Sequence, residues 1–168
     1  MIRLDVVDWS DPRAVAQRDA MNAETGAMYA EFIAGNPPEV NAAIDAALAV
    51  DPASIVYTVI ALDGDEVVGH SALRPFEEKL EVKKVFVVPS RRGAGVARAL
   101  LADLEEYAQA RGVASLVLQT GRLQGDAVAL YEKIGYVAIP RFGEYLNVPG
   151  ALCFEKQLTP LPLPPGVH

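Results

Sequence analysis

At 168 residues, half of them hydrophobic, the chain is long enough to bury one core and too apolar to be disordered. Its formal charge of −7 and pI of about 4.8 exclude a general nucleic-acid binder, which needs a basic face, and are compatible with a cationic amine partner. One cysteine, Cys153, excludes an internal disulfide and suits a reducing, cytoplasmic compartment.

The first residues, Met1-Ile2-Arg3-Leu4-Asp5, carry no apolar signal region, and no apolar run approaches the ~20 residues of a membrane span. No membrane association is therefore expected. Residues 3–7 alternate as a first strand. Ser10-Asp11-Pro12 is a helix start, and a helix follows over 13–24 with room to continue to 33, where Gly35-Asn36-Pro37-Pro38 breaks it. Val40, Ala43, Ile44, Ala47 and Leu48 recur at helical spacing and predict a second helix over 39–50. Asp51-Pro52 ends it. Residues 54–62 and 66–73 read as a hairpin about Asp63-Gly64, and 80–88 as a central strand.

Val96, Leu100, Leu101, Leu104 and Ala108 form the next helical stripe, which Gly112 stops. A strand over 113–120, a loop over 121–125 and a helix capped by Asp126 up to 133 come next, with Gly135 as terminator. Strands at 136–139 and 152–158 close one domain, 1–158. The proline-rich remainder, 159–168, reads as an extended, frayed tail. This order predicts an α/β fold with a central mixed β-sheet flanked by helices.

One stretch, Lys83 to Leu101, carries the chemistry. Val85-Phe86-Val87-Val88 is a buried strand, Pro89 to Gly95 is a turn, and a helix begins at Val96. A strand, a glycine turn and a helix N-terminus make an anion site, because the first N–H groups of the helix lack internal partners and its dipole is positive there. Gly93 and Gly95 let an anion approach the backbone, and Arg91 and Arg92 add positive charge. The spacing does not fit a P-loop. A dinucleotide fingerprint would need a glycine where Arg98 stands.

The string Arg92-Gly93-Ala94-Gly95-Val96-Ala97 closely resembles motif A of the GCN5-related N-acetyltransferase (GNAT) family. The usual Gln or Arg three residues before the first glycine is Ser90 here. A second string, Asp126-Ala127-Val128-Ala129-Leu130-Tyr131-Glu132-Lys133-Ile134-Gly135-Tyr136, resembles that family's motif B. The likeness spans residues 54–158. It implies a GNAT-like acyl-CoA N-acyltransferase fold with acetyl-CoA as co-substrate and no metal. The backbone of Val85, Phe86 and Val87 would pair with the pantetheine arm. The turn from Arg91 through Arg92, Gly93, Ala94 and Gly95 to Val96 and Ala97 would take the pyrophosphate. Gln124, where many members have asparagine, would touch the cofactor.

Tyr131 holds the place of the family's general acid. From spacing alone an aromatic packed on a helix face is the stronger reading, which the resemblance reverses; as a phenol, protonated at neutral pH, it can hydrogen-bond a developing thiolate. Glu81 on the central strand is the candidate base, acting directly or through a water; a solvated charge beside Lys79, Lys83 and Lys84 is the other reading. The ribosomal-protein subgroup has a glutamate base where this chain has Gln119, which counts against a protein N-terminus as acceptor.

His70 and Cys153 read as packed residues, with no second metal ligand near His70. Glu24, Tyr29 and Glu31 lie in the helical region that commonly shapes the family's acceptor site, or form an exposed face. The expected activity is transfer of an acetyl group from acetyl-CoA to a primary amine, more readily on a small molecule than on a protein. A catalytically silent acyl-CoA sensor or partner-binding module is the alternative, and a homodimer is an expectation carried by the family.

Overall fold

The computed structural model describes residues 1–159 and 165–166. Seven strands make one sheet: β1 (Ile2–Val7), β2 (Tyr57–Asp63), β3 (Glu66–Phe76), β4 (Lys79–Val87), β5 (Ser115–Gly121), β6 (Val137–Ile139) and β7 (Ala151–Gln157). Their spatial order is β1-β2-β3-β4-β5-β7-β6. All neighbours are antiparallel except β4 and β5, which a helix connects, as a parallel crossover requires. The helices are α1 (Pro12–Met28), α2 (Ala30–Gly35), α3 (Pro38–Leu48), α4 (Val96–Ala110) and α5 (Gly125–Lys133). None is long and apolar enough to cross a membrane.

The sheet is covered on both faces. Along β2, Val59 and Ala61 join the core under α4, while Ile60 and Leu62 join a cluster with Ala14 of α1. A strand buried on both sides reads as a continuous apolar run, as Val59 to Leu62 does. The α4 stripe lands where its spacing predicts: Val96, Leu100, Leu101, Leu104 and Ala108 are all buried. Each leucine so removed from water contributes about 2 kcal/mol.

The expected elements form, with shifted bounds. The first helix does run beyond Glu24, but it breaks at Tyr29, whose φ and ψ of −99° and 10° leave the helical well before α2 begins. β2 starts at Tyr57, because Pro52–Ser54 winds into a 3₁₀ turn capped by the Asp51 side chain. β3 runs three residues past Leu73 and through Pro75. Its pairing to β2 ends at Tyr57↔Leu73, so the missing proline N–H falls where β3 has one neighbour only. Gln124, not Asp126, occupies the N-cap position of α5. A 3₁₀ turn at Gly143–Asn147 was not legible in the sequence. The expected tail lies, at 160–164 and 167–168, outside the described residues.

β4 carries the feature that opens the site. It pairs with β5 only at Leu80↔Leu116 and Glu81↔Val117, then parts from it. At the same point its register against β3 slips between His70 and Ala72, and Lys84 takes a left-handed φ of 55°. That is a β-bulge, one extra residue that kinks the strand. His70 pins it. Its Nδ1–H donates to the Lys84 carbonyl at 2.8 Å, which leaves Nε2 to accept from Arg18 at 2.9 Å. Arg18 itself lies 3.5 Å from the Trp9 ring centroid.

A proton on Nε2 would face the Arg18 guanidinium in a buried site, and burial, with Arg18 and Lys84 nearby, lowers the His70 pKa from 6.5 to about 4. Between those values the unfolded chain binds the proton and the folded chain does not, so stability falls as pH drops. We expect about 2 kcal/mol of stability to be lost between pH 7 and pH 5. A His70→Gln variant should be less stable at pH 7 and flatter across that range in thermal unfolding. An unchanged pH slope in the variant would assign the loss to other groups.

Candidate active site

Two cavities open where β4 and β5 part. The larger, about 780 Å³, lies between the turn after β4, the start of α4 and the face of α5. The smaller, about 460 Å³, lies between α1–α3 and the ends of β4 and β5. Tyr131, Val85, Gln124 and Ala127 line both, so the two cavities meet at these residues.

The larger cleft gathers the residues marked in the sequence. Val85, Phe86, Val87, Arg91, Arg92, Gly93, Gly95, Val96, Ala97, Gln124 and Tyr131 all line it; Ala94 does not. Gly93 and Gly95 have φ of 81° and 85°, a region L-residues rarely adopt, and a Cβ on either would meet only open space. Gly95 stands at the N-cap of α4 with no side chain capping the helix. The first α4 N–H groups are thus left for an anion. The Val88 N–H donates to Val68 O at 2.9 Å, so strand alternation turns the Val85 and Val87 N–H groups to the edge that β5 has left. Glycine turn, uncapped helix and open strand edge fit a pyrophosphate followed by an amide-rich chain.

Both arginines are paired with acids. Arg91 pairs with Asp63 at 3.3 Å and Glu66 at 2.8 Å. Arg92 pairs with Glu24 at 2.8 Å, and its Nε donates to Val87 O at 3.1 Å. They brace the turn against β2, β3 and α1. Gln124 is also engaged: its Oε1 accepts the Gly121 N–H at 3.0 Å and closes the loop before α5.

Tyr131 is buried, its ring packed against Tyr136 and Phe154 at centroid distances of 5.7 and 6.3 Å. Burial pushes its phenol pKa up, so it holds its proton throughout the neutral range. It can donate a proton to a group at the junction.

Glu81 does not reach either cavity. Only 1% exposed, its carboxylate accepts Arg74 Nε at 2.8 Å and the Tyr145 hydroxyl, with Lys83 Nζ 3.7 Å away. Both oxygens face donors, so a direct role on the acceptor is not what this geometry offers. Lys83, which does line the smaller cavity, donates to the Tyr145 hydroxyl at 2.7 Å. Tyr145, 1% exposed, is the residue the sequence did not mark; it sits in an irregular turn with no motif around it.

Of the helical candidates, Tyr29 lines the smaller cavity and its hydroxyl accepts the Leu123 N–H at 3.2 Å. A Cβ at Gly121 would stand 1.9 Å from that hydroxyl, so glycine there lets Tyr29 pack against the strand end. Glu24 lines the larger cleft; Glu31 is exposed and lines neither. Gln119 lies in the wall of the smaller cavity. His70 and Cys153 are packed, as expected.

Known proteins resemble this chain in sequence and in fold. The IAA acetyltransferase of Azospirillum brasilense is 42% identical over 78 residues, 46% of this chain and 51% of that one. The chain thus spans about half the length of that curated relative. A protein from Klebsiella pneumoniae, named for acyl-CoA N-acyltransfer, superposes over 95% of this chain and 99% of its own, with TM-score 0.74 and 26% identity. A GNAT family acetyltransferase from Elizabethkingia anophelis, solved with acetyl-CoA bound, has the same fold over 94% of this chain and 98% of its own, with TM-score 0.63 and 19% identity. The family model described as "Acetyltransferase (GNAT) family" matches residues 18–136, which take in the bulged β4, the glycine turn and Tyr131. By that match over most of its length, the chain belongs to the acetyltransferase (GNAT) family.

Proposed function

We propose that the protein moves the acetyl group of acetyl-CoA to a primary amine of a small molecule by direct attack. The observation that carries this reading is the meeting of two cavities at Tyr131, one beside the glycine turn and the open β4 edge, the other walled by α1–α3 and the ends of β4 and β5. Acetyl-CoA would supply a thioester, whose acyl group is transferred and whose thiolate leaves.

The chain's own residues divide the work. The α4 N-terminus with Gly93 and Gly95 would hold phosphate oxygens. The Val85 and Val87 N–H groups, on the free edge of β4, would pair with the arm, and the Val87 N–H would help hold an acyl oxygen that gains charge. Tyr131 would give its proton to the leaving sulfur, and the proton that the nitrogen sheds on becoming an amide would pass through water to restore the phenol. An acceptor volume of about 460 Å³, with Tyr29 in its wall, suits a small molecule. Gln119 in its wall stands where the ribosomal-protein subgroup has a glutamate base, which counts against a protein N-terminus as acceptor.

Free-thiol release from acetyl-CoA, measured against small primary amines and a lysine-containing peptide, tests the reading. Amine-dependent release with the small molecules is expected. Release with the peptide alone would move the acceptor to protein. Acetyl-CoA binding with no release on any amine would make the protein an acyl-CoA sensor.

A further inference from the structure

We propose that the acceptor is an amine that also carries a carboxylate, and that Lys83 and Lys84 seat that carboxylate. The proposal rests on the acetyl-transfer reading and names the substrate class of the same site. It starts from a local charge imbalance. The chain as a whole is acidic, at −7, yet the wall of the smaller cavity presents Lys83, Lys84 and Arg122 against a single acid, Asp45.

Two adjacent lysines on a regular strand would point to opposite faces. Here the bulge, with Lys84 at φ 55° and its carbonyl held by His70, brings both into the wall of one cavity. That geometry is strained for a lysine and is maintained by a buried histidine and arginine. The nearest acid does not neutralise the pair. Glu81 is shared between Arg74 at 2.8 Å and Lys83 at 3.7 Å, and the other acid near Arg74, Glu144, is largely exposed. Among the described residues, no acidic side chain pairs with Lys84 or Arg122.

The energetic consequence appears on both lysines. Burial, with Arg74 and Lys84 close by, brings the Lys83 pKa down to about 8 against the pull of Glu81. Burial, Arg18 and Arg74 lower that of Lys84. An anion placed between them would offset the cost of burying both ammonium groups. A bare ammonium entering the same cavity would add a further positive charge. The amine to be acetylated therefore enters best when it brings its own negative charge. The rest of the wall is apolar, with Phe32, Ile44, Leu48, Leu118 and Val148 ready to cover a hydrocarbon body. Such a lining favours a singly charged carboxylate over a phosphate, which costs more to desolvate.

The test compares matched acceptors with and without the carboxylate: L-phenylalanine against phenethylamine, and L-leucine against isopentylamine. Steady-state thiol release would be measured in the wild type, Lys84→Asn and Lys83→Met. Asparagine tolerates the left-handed backbone at position 84, and an acetyl-CoA thermal shift checks that each variant is folded. We expect kcat/KM in the wild type to favour the amino acids by about tenfold or more. Lys84→Asn should erase most of that preference through KM for the amino acids, leaving the plain amines unchanged or improved. Plain amines used as well as the amino acids by the wild type, or a preference that survives both variants, would overturn the proposal. Turnover of plain amines alone would sink it and leave acetyl transfer standing. Acetyl-CoA binding with turnover of neither class would sink both.

Discussion

Replacing Tyr131 with Phe is expected to cut kcat about a hundredfold and to leave CoA affinity and stability nearly intact. The ring makes its contacts with Tyr136 and Phe154 through carbon, so phenylalanine keeps the packing on α5. What is lost is one proton donor at the junction of the two cavities. Burial holds that phenol protonated well above neutral pH, so the wild-type rate should show no deprotonation of Tyr131 there. Loss of kcat with an unchanged KM for acetyl-CoA would mark an interaction made only in the transition state. Equal kinetics in mutant and wild type would return Tyr131 to the role of a core aromatic.

Glu81→Gln carries the second large effect, and it falls on stability. The carboxylate is the one acid that the buried Arg74 and Lys83 share, and it accepts the Tyr145 hydroxyl. Removing its charge takes from the largely buried Lys83 and Arg74 the acid they share, leaving Arg74 only the exposed Glu144. That should cost about 3 kcal/mol, a fall of roughly 10 °C in Tm. A double variant that also carries Arg74→Met should recover part of the loss, since the surplus charge goes with it. A Glu81→Gln protein of unchanged Tm that has lost turnover would instead make Glu81 the base that its place on the central strand suggested.

These two residues show what was legible in the sequence. Local signals survived into the structure: the α4 stripe is a contiguous helical repeat, and Gly93 and Gly95 mark left-handed backbone at a strand-to-helix turn. Both depend on neighbours in sequence. Tyr131 was marked by its motif, and its place between two cavities follows from α5 packing beside the open edge of β4. Glu81 was marked by its strand, but its role is set by Tyr145, which is 64 residues away in a turn without a signature. The bulge at Lys84 was equally hidden. No glycine announces its positive φ; a histidine from the neighbouring β3 and an arginine from α1 hold it. Nor could the insertion of β7 between β5 and β6 be read, since that order is a matter of tertiary pairing.

The most direct measurement of the central claim is a thermal shift with acetyl-CoA, CoA, ATP and NAD in parallel. Ligand that binds only the folded chain raises its stability by RT ln(1 + [L]/Kd), about 2.7 kcal/mol at a hundredfold excess over Kd. A rise with the two CoA species alone is the predicted result. A rise with ATP or NAD instead, or none with CoA, would contradict the assignment of the Gly93–Gly95 turn and the open β4 edge to an acyl-CoA site.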